Sequence, residues 1–333
     1  MPEYAPQSPM VEAGTTRFPG LPLDGGASLA AVRLAWSRFG PPPDRARAVV
    51  LLLHGISGSQ QALRAPGGQA QHPDAGWAAA WLGPGNALDT RHICVLAPNA
   101  LGSCFGSSGP EGSTAREFPD ISIADGVRLQ GMWLRAMGVE RLDAVVGYSY
   151  GGYQAFQWAV RPPLPVGRAI AMASAPRGGG SEADVQRLRR VAAALDAGDP
   201  QAWNEWVELR CATLRRYGYA QWLRDMGESG MEQRIHGEAA AWAARFSPWS
   251  MAVLRASACR YDARPALRDA VTPVYWLRCR SDALFPPGVA GHEPYPAHVV
   301  QISVDGRYGH ASPVLEGEIW RAPLVRAMTS SSL

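Results

Sequence analysis

Ser149 lies in a pattern of residue types that nucleophilic catalysis requires. Residues 147–151 read Gly-Tyr-Ser-Tyr-Gly, after an apolar run that ends at Val146 and before the helix-like residues 153–158. We therefore predict a strand, a sharp turn and a helix, with the serine hydroxyl presented above the edge of a sheet as a nucleophile. Glycine gives such a turn space and backbone freedom. An ordinary glycine-rich turn between a strand and a helix is the alternative interpretation of the same residues.

A serine hydroxyl is a weak nucleophile near neutral pH and needs a base, which an acid must orient. Asp282 follows the predicted strand 274–278, and His310 follows the predicted strand 299–304. The chain order of serine, acid and histidine, each at a strand end, predicts a triad of Ser149, Asp282 and His310. Asp305 is the alternative acid, although it lies close to His310 in the sequence.

Acyl chemistry also needs N–H donors for the negative oxygen that develops in the reaction. Tyr150 directly follows the nucleophile, and Ile56 lies in the loop after the apolar run 48–53. We predict that the backbone N–H groups of these two residues form an oxyanion hole. His54, in the same loop, is predicted to be structural, because His310 already fills the position of the base.

Several apolar runs predict the sheet that must position these residues. Short runs bounded by breakers are typical of strands buried on both faces of a parallel sheet. They lie at residues 48–53, 93–97, 142–146, 169–173, 274–278 and 299–304. Residues 29–39 are predicted to be an edge strand, and 123–137 and 152–160 to be helices between strands. This alternation predicts an α/β fold with a mostly parallel, doubly wound sheet.

One region interrupts the alternation of strands and helices. Residues 177–260 contain no good strand and instead show helical periodicity with several tryptophans. We predict a helical lid inserted into a core of residues 28–176 and 261–333. Its tryptophans either pack inside the lid or line a substrate cavity. Residues 1–27, which are rich in proline and glycine, are predicted to be a loosely held segment.

The composition excludes several classes of protein. A chain of 333 residues with 47% hydrophobic residues is typical of a globular protein. A formal charge of +3 without blocks of like charge argues against a nucleic-acid partner. No apolar run approaches the ~20 residues of a membrane span, and we expect no secretory signal. Five cysteines without a C-x-x-C pair favour a reduced, cytoplasmic setting and no metal site.

Longer motifs extend the pattern around the serine. They are residues 76–90 with GPGNALDT, residues 99–110 with NALGSCFGSSGP, residues 118–125 and residues 146–152. With these motifs the chain resembles the homoserine O-acetyltransferase family of the α/β-hydrolase superfamily. The resemblance covers roughly residues 30–175, and the segments at Asp282 and His310 extend it.

The resemblance implies an α/β-hydrolase fold with a helical lid and a homodimer built through lid helices. It also implies a ping-pong reaction, in which acyl-CoA acylates Ser149 and a small hydroxyl acceptor then takes the acyl group. Acyl-CoA would be a co-substrate, with no bound cofactor. Arg210 and Tyr217 have the spacing of the family's residues for the acceptor carboxylate. A surface arginine and a core tyrosine on one helix face would have the same spacing.

Two residues depart from the family. Members have an aspartate directly after the catalytic histidine to hold the acceptor's amino group, whereas Ala311 stands there in this chain. They usually have methionine after the serine, where this chain has Tyr150. Because a buried ammonium without a carboxylate is strongly disfavoured, we expect an acceptor other than homoserine. An esterase that uses water as the acceptor is the alternative function.

Overall fold

The computed structural model describes residues 11–63, 76–286 and 295–330 of the chain. Within these ranges eight strands form one central sheet. In their order across the sheet they are β1 (Val11–Phe18), β4 (Val32–Phe39), β6 (Ile93–Pro98), β5 (Ala48–Leu53), β7 (Ala144–Tyr148), β8 (Ala169–Met172), β9 (Val274–Cys279) and β10 (Val299–Val304). A small separate sheet pairs β2 (Leu21–Pro22) with β3 (Ser28–Leu29).

Most of the central sheet is parallel. The β1–β4 and β4–β6 pairs are antiparallel, and the other neighbouring pairs are parallel. All residues of β7 and β8 are buried, which explains their unbroken apolar sequences. The carboxyl ends of the parallel strands, among them Leu53, Tyr148 and Cys279, lie along one edge of the sheet. This confirms the predicted mostly parallel α/β fold.

Helices cover both faces of the sheet. They include α1 (Ile123–Ala136), α2 (Tyr150–Val160), α8 (Arg264–Leu267), α9 (Ser312–Leu315) and α10 (Gly317–Thr329). Trp133 of α1 and Phe156 of α2 belong to the apolar core on one face, and Trp320 of α10 belongs to the core on the other. In the described ranges we find no helix with the length and apolar character of a transmembrane segment.

Six helices lie between β8 and β9 in the chain, and we call the first five of them the insert helices. They are α3 (Glu182–Asp196), α4 (Pro200–Arg216), α5 (Tyr219–Asp225), α6 (Met231–Ala243) and α7 (Pro248–Cys259). Helix α3 packs on α7, and α4 packs on α6. The rings of Trp206 in α4 and Trp242 in α6 lie 5.0 Å apart between centroids. Ser181 and Asp184 form a capping box that fixes the first turn of α3.

The prediction of a loosely held segment over residues 1–27 is wrong for its described part. Residues 11–18 form β1, which pairs with β4 along its whole length and moves β4 away from the sheet edge where residues 29–39 were predicted. Gly14 leaves room for the indole of Trp36, since a Cβ there would lie 2.7 Å from that ring. Trp36 Nε1 also donates to Thr16 Oγ1 at 3.1 Å. Residues 1–10 lie outside the described ranges.

Candidate active site

The turn that carries Ser149 is strained and tightly packed. Strand β7 ends at Tyr148 and helix α2 begins at Tyr150, so the serine alone makes the turn, with φ 54° and ψ −113°. Few residues with a side chain adopt this conformation, and such strain is typical of functional sites. A Cβ on Gly147 would lie 1.9 Å from the Gly151 carbonyl oxygen. This geometry favours a strained turn that presents the serine over an ordinary turn between strand and helix.

Ser149, His310 and Asp282 form one hydrogen-bonded chain. Ser149 Oγ lies 2.8 Å from His310 Nε2, and His310 Nδ1 lies 2.9 Å from Asp282 Oδ2. Because a carboxylate accepts hydrogen bonds, Nδ1–H donates to Asp282, and Nε2 is left to accept from the serine hydroxyl. Ser149 is 7% exposed, while Asp282 and His310 are each 1% exposed. The three predicted residues therefore meet in the arrangement that activates a serine nucleophile.

Backbone and side-chain contacts fix the acid. Asp282 Oδ1 accepts from the N–H groups of Leu284 at 2.8 Å and Phe285 at 3.2 Å. Ser281 Oγ donates to Gly306 O at 2.6 Å and accepts from Gly309 N at 3.0 Å, which ties the acid loop to the histidine loop. The role of Ser281 could not be predicted from the sequence, because nothing in the local pattern shows that the two loops meet.

The alternative acid does not reach the site. The side chain of Asp305 is 77% exposed, and its carboxylate lies 3.1 Å from Arg280 Nε in an ion pair at the surface. In contrast, Asp282 is buried and bonded to the imidazole. The geometry therefore favours Asp282 as the orienting acid.

Three aromatic rings hold the imidazole of His310. Tyr217 meets it edge-on at 4.6 Å between centroids, Tyr148 stacks on it at 5.5 Å, and Phe285 lies at 5.4 Å. Tyr148 also donates its hydroxyl to His310 O at 2.8 Å. These contacts leave the ring one orientation, in which Nε2 faces the serine.

The two predicted oxyanion-hole residues flank Ser149. The N–H of Tyr150 is at the first turn of α2, where backbone donors have no intrahelical acceptor. Ile56 follows Gly55, whose Cβ, if built, would lie 3.6 Å from Ser149 Cβ. Within the described residues neither N–H donates to a backbone carbonyl. Both N–H groups therefore lie close to Ser149 and make no hydrogen bond to a backbone carbonyl of the described residues.

His54 has the structural role predicted for it. Nε2 accepts from Ala100 N at 3.0 Å, and Nδ1 therefore donates to Gly55 O at 2.7 Å. Complete burial lowers the pKa of His54 to about 4. The neutral ring thus joins the loop after β5, which carries Ile56, to the loop after β6.

The long motif at residues 99–110 braces the scaffold. Ser107 Oγ accepts from Ala35 N at 3.1 Å and donates to Asn99 O at 2.8 Å, and Ser108 Oγ accepts from Arg33 N at 2.9 Å. These bonds attach the loop after β6 to β4. Cys104 Sγ also accepts from the N–H of Ser247, the residue that caps α7. The motif therefore links the sheet to the insert helices.

Two cavities of about 510 and 360 Å³ are lined by residues close to Ser149, and we call them the larger and the smaller cavity. Ile56 and Phe285 line the larger one, whereas Gly55 and Tyr148 line the smaller one. Their shared lining residues are Ser57, Arg210, Tyr217 and Trp242. The insert tryptophans Trp206 and Trp242 are each 2% exposed and also line the larger cavity. They therefore both pack among the insert helices and line a cavity, which were the two alternatives for these residues.

Arg210 and Tyr217 both reach the site. Arg210 is 7% exposed, and its guanidinium lies over the Trp242 ring, with Cζ 4.4 Å from the centroid. Tyr217 caps the C-terminus of α4 and touches His310. The alternative of a surface arginine is therefore wrong, and the pair lies between the two cavities.

The residues that depart from the family pattern occupy different places. Ala311 lines the smaller cavity and donates its N–H to Tyr217 O at 2.9 Å. The Tyr150 hydroxyl donates to Ser257 Oγ of α7 at 2.8 Å, since Ser257 itself donates to Leu254 O. Burial raises the pKa of Tyr150 above its usual value. Tyr150 thus ties α2 to an insert helix, and Ser257 is a partner that the sequence did not reveal.

Comparisons with known proteins place the chain in a family. Residues 48–292 match the family model described as alpha/beta hydrolase fold. A homoserine O-acetyltransferase of Mycolicibacterium smegmatis is 30% identical over an alignment of 357 residues, which covers 92% of this chain and 90% of the relative. The chain belongs to the homoserine O-acetyltransferase-like family of the α/β-hydrolase superfamily. Its alignments with several other curated relatives span less than half of those proteins.

Solved structures share the architecture of this family member. Homoserine O-acetyltransferase from Bacillus anthracis superposes with a TM-score of 0.81 at 18% identity, covering 97% of this chain and 99% of that one. An acetylester hydrolase from Corynebacterium glutamicum gives 0.76 at 18% identity, covering 96% of each chain. The chain is an α/β-hydrolase-fold enzyme, and its relatives support acyl-transfer chemistry. In the described ranges no three His, Cys, Asp or Glu residues are grouped as metal ligands.

Proposed function

We propose that this enzyme is an O-acyltransferase that moves an acyl group from acyl-CoA, through an acyl-enzyme on Ser149, to the hydroxyl of a small carboxylate-bearing acceptor. The observation that carries the proposal is the unbroken hydrogen-bonded chain from Asp282 through His310 to Ser149, beside cavities that Arg210 and Tyr217 line. Family membership supports the same chemistry.

In the first half-reaction His310 Nε2 takes the proton of Ser149 as Oγ attacks the thioester carbonyl. The N–H groups of Ile56 and Tyr150 hold the oxyanion that forms. Asp282 keeps the imidazole in the required tautomer and stabilises its protonated form. When the carbon–sulfur bond breaks, the CoA sulfur leaves with the proton from His310.

In the second half-reaction, after the thiol has left, the acceptor brings its hydroxyl to the carbonyl carbon of the acyl-enzyme. Its hydroxyl gives a proton to His310 and attacks the acyl carbon, and Ser149 recovers that proton as it departs. Arg210 and Tyr217 would hold the acceptor carboxylate, because a guanidinium matches a carboxylate with paired, charge-assisted hydrogen bonds. The insert helices would act as a lid over a core of residues 28–176 and 261–333.

We further propose that the acceptor lacks an amino group at the position where homoserine carries one. Ala311 lines the smaller cavity where the family has an aspartate. Glu238 is the one carboxylate among the described residues that line this cavity, and it pairs with Arg234 at 3.0 Å. An ammonium group there would have to compete with Arg234, so a simple hydroxy acid fits better than a hydroxy amino acid.

A matched pair of acceptors tests this proposal. Homoserine and 4-hydroxybutanoate have the same chain length and differ in the amino group. With acetyl-CoA or succinyl-CoA as the donor, we expect acceptor-dependent thiol release that is faster with 4-hydroxybutanoate, and none from Ser149→Ala. Faster release with homoserine would contradict the proposed acceptor class, and unchanged turnover by Ser149→Ala would contradict the mechanism.

Hydrolysis of a small ester is the second candidate, and Ala311 is the observation that favours it. With fewer polar contacts for an acceptor, water can compete for the acyl-enzyme. One measurement distinguishes the acyltransferase from the esterase: the rate of cleavage of a simple acetate ester with and without the acceptor. Cleavage that no acceptor accelerates would favour the esterase.

The proposal includes a homodimer built through the insert helices and a cytoplasmic location. Trp203 on α4 is 38% exposed and Met226 after α5 is 67% exposed, so these helices carry two exposed apolar side chains that a second copy could cover. The odd number of cysteines favours a reducing compartment. Sedimentation equilibrium tests the dimer, and Trp203→Glu should shift it toward the monomer.

A further inference from the structure

The two cavities beside Ser149 differ in charge. Four arginines and a single carboxylate are among the described residues that line the larger cavity: Arg187, Arg210, Arg216, Arg255 and Asp184. The smaller cavity is lined by one arginine and one carboxylate, Arg210 and Glu238. A concave surface with a large excess of positive charge attracts a polyanion, whereas a balanced one does not.

The positive charge of the larger cavity is concentrated at two of these arginines. Within the described residues no carboxylate lies within 4.0 Å of Arg216 or Arg255, whereas Arg187 pairs with Glu205 at 2.7 Å. Arg216 is exposed at the end of α4, and Arg255 is half-buried on α7. Two guanidiniums without carboxylate partners are therefore available to an anionic ligand.

The backbone near Arg255 makes room for its side chain. Gly180 also lines the larger cavity, and a Cβ built on it would lie 3.4 Å from Arg255 Cδ and 2.9 Å from Cys259 Sγ. Gly180 has φ +107°, a conformation that favours glycine. The segment before α3 thus passes close to Arg255 without a side chain of its own.

The larger cavity also has apolar lining residues, and some of them lie next to the candidate catalytic residues. Ile56 carries one of the proposed oxyanion donors, and Phe285 touches the His310 ring. Leu188, Trp206 and Trp242 add to the apolar lining of this cavity. A ligand that fills this cavity would place its reactive group near Ser149, its apolar groups against these side chains and its anionic groups at the arginines.

We propose that the larger cavity holds the acyl donor, that Arg216 and Arg255 bind the phosphates of its nucleotide end, and that the acceptor uses the smaller cavity. This inference rests on the proposed function. A carrier that combines a thioester, an apolar stretch and phosphates matches the apolar and arginine lining that the larger cavity combines. Arg210, Tyr217 and Trp242, which line both cavities, then separate the two substrates.

Donors with and without phosphates test this assignment. Acetyl-CoA and acetyl-N-acetylcysteamine present the same thioester, and the second has no phosphate. For the double variant Arg216→Gln, Arg255→Gln we expect kcat/KM for acetyl-CoA to fall about 10- to 100-fold, with kcat at saturation retained. The value for acetyl-N-acetylcysteamine should change less than about twofold.

Arg215→Gln is the matched control for the charge change. Arg215 lies next to Arg216 on α4, pairs with Glu232 at 2.6 Å and does not line either cavity. We expect this variant to use both donors as the unaltered enzyme does. An equal loss for the two donors in the double variant, or an equal loss from Arg215→Gln, would overturn the assignment.

Two further measurements complete the test. The first shows whether the arginines bind phosphate or an acyl carboxylate, and the second separates failure of this assignment from failure of the proposed function. If the double variant loses activity with succinyl-N-acetylcysteamine but not with acetyl-CoA, the arginines bind an acyl carboxylate and the phosphate assignment is wrong. Calorimetry of CoA with Ser149→Ala needs no turnover. If Ser149→Ala binds CoA and the two arginine substitutions weaken this binding, the assignment is supported even if acyl transfer fails. If Ser149→Ala does not bind CoA, the assignment is overturned.

Discussion

The edge of the sheet and the insert helices contribute different kinds of residue to the site. The sheet edge supplies Ser149, Asp282 and His310, which are almost fully buried and joined by hydrogen bonds of 2.8 and 2.9 Å. The insert helices supply arginines and aromatic rings that line cavities, such as Arg216 and Trp242. Under the proposed function, the sheet edge would carry out the chemistry and the insert helices would select the substrates.

Substitution of Asp282 at the sheet edge should have the largest effect on activity. We expect Asp282→Asn to lower kcat by about 10³- to 10⁴-fold, because an amide can hold the imidazole in the wrong tautomer. Asp305→Asn is the matched control, since Asp305 is exposed and paired with Arg280. Steady-state acyl transfer by the two variants checks the prediction, and a comparable loss in both would reverse the assignment of the acid.

The stability of the sheet edge should depend on pH through His54. Burial lowers its pKa from 6.5 to about 4 in the folded state, so the unfolded chain binds the extra proton between these values. The free energy of unfolding should therefore fall as the pH drops from 6.5 to 4, by roughly 3 kcal/mol at the low end. Urea unfolding across this range, with His54→Asn as the variant, measures the contribution of this residue. The same slope in both proteins would contradict it.

A change in the smaller cavity should alter selectivity and leave the chemistry intact. Ala311→Asp restores the carboxylate that the family carries after the histidine. We expect it to raise kcat/KM for homoserine relative to 4-hydroxybutanoate by about tenfold. Ala311→Asn adds a similar volume without the charge and should not change this ratio. If both variants alter the ratio equally, the charge of residue 311 is not what selects the acceptor.

The sequence predicted the sheet edge better than the insert helices, for a physical reason. Buried parallel strands have distinctive apolar runs, and the carboxyl ends of such strands meet at one edge, so Ser149, Asp282 and His310 could be brought together from their positions alone. The resemblance to the family supplied Arg210 and Tyr217, and the structure places both at the site.

Other features depend on which segments meet in three dimensions. Arg216 and Arg255 belong to different helices and face one cavity because of how the insert helices pack. Ser281 and the bond from Tyr150 to Ser257 likewise join distant segments. The proline and glycine content of the first residues indicated a loose segment, but Gly14 instead gives Trp36 the space to pack across β1.

The most direct test of the account is to find the acyl-enzyme. The enzyme is mixed with acetyl-CoA or succinyl-CoA without an acceptor, quenched in acid, digested and examined by mass spectrometry. We predict one acyl group on the peptide that contains Ser149, removed on addition of the hydroxy acid with formation of its ester. An enzyme that turns over these donors without any acyl group on Ser149, or with the group on another residue, would contradict the central claim.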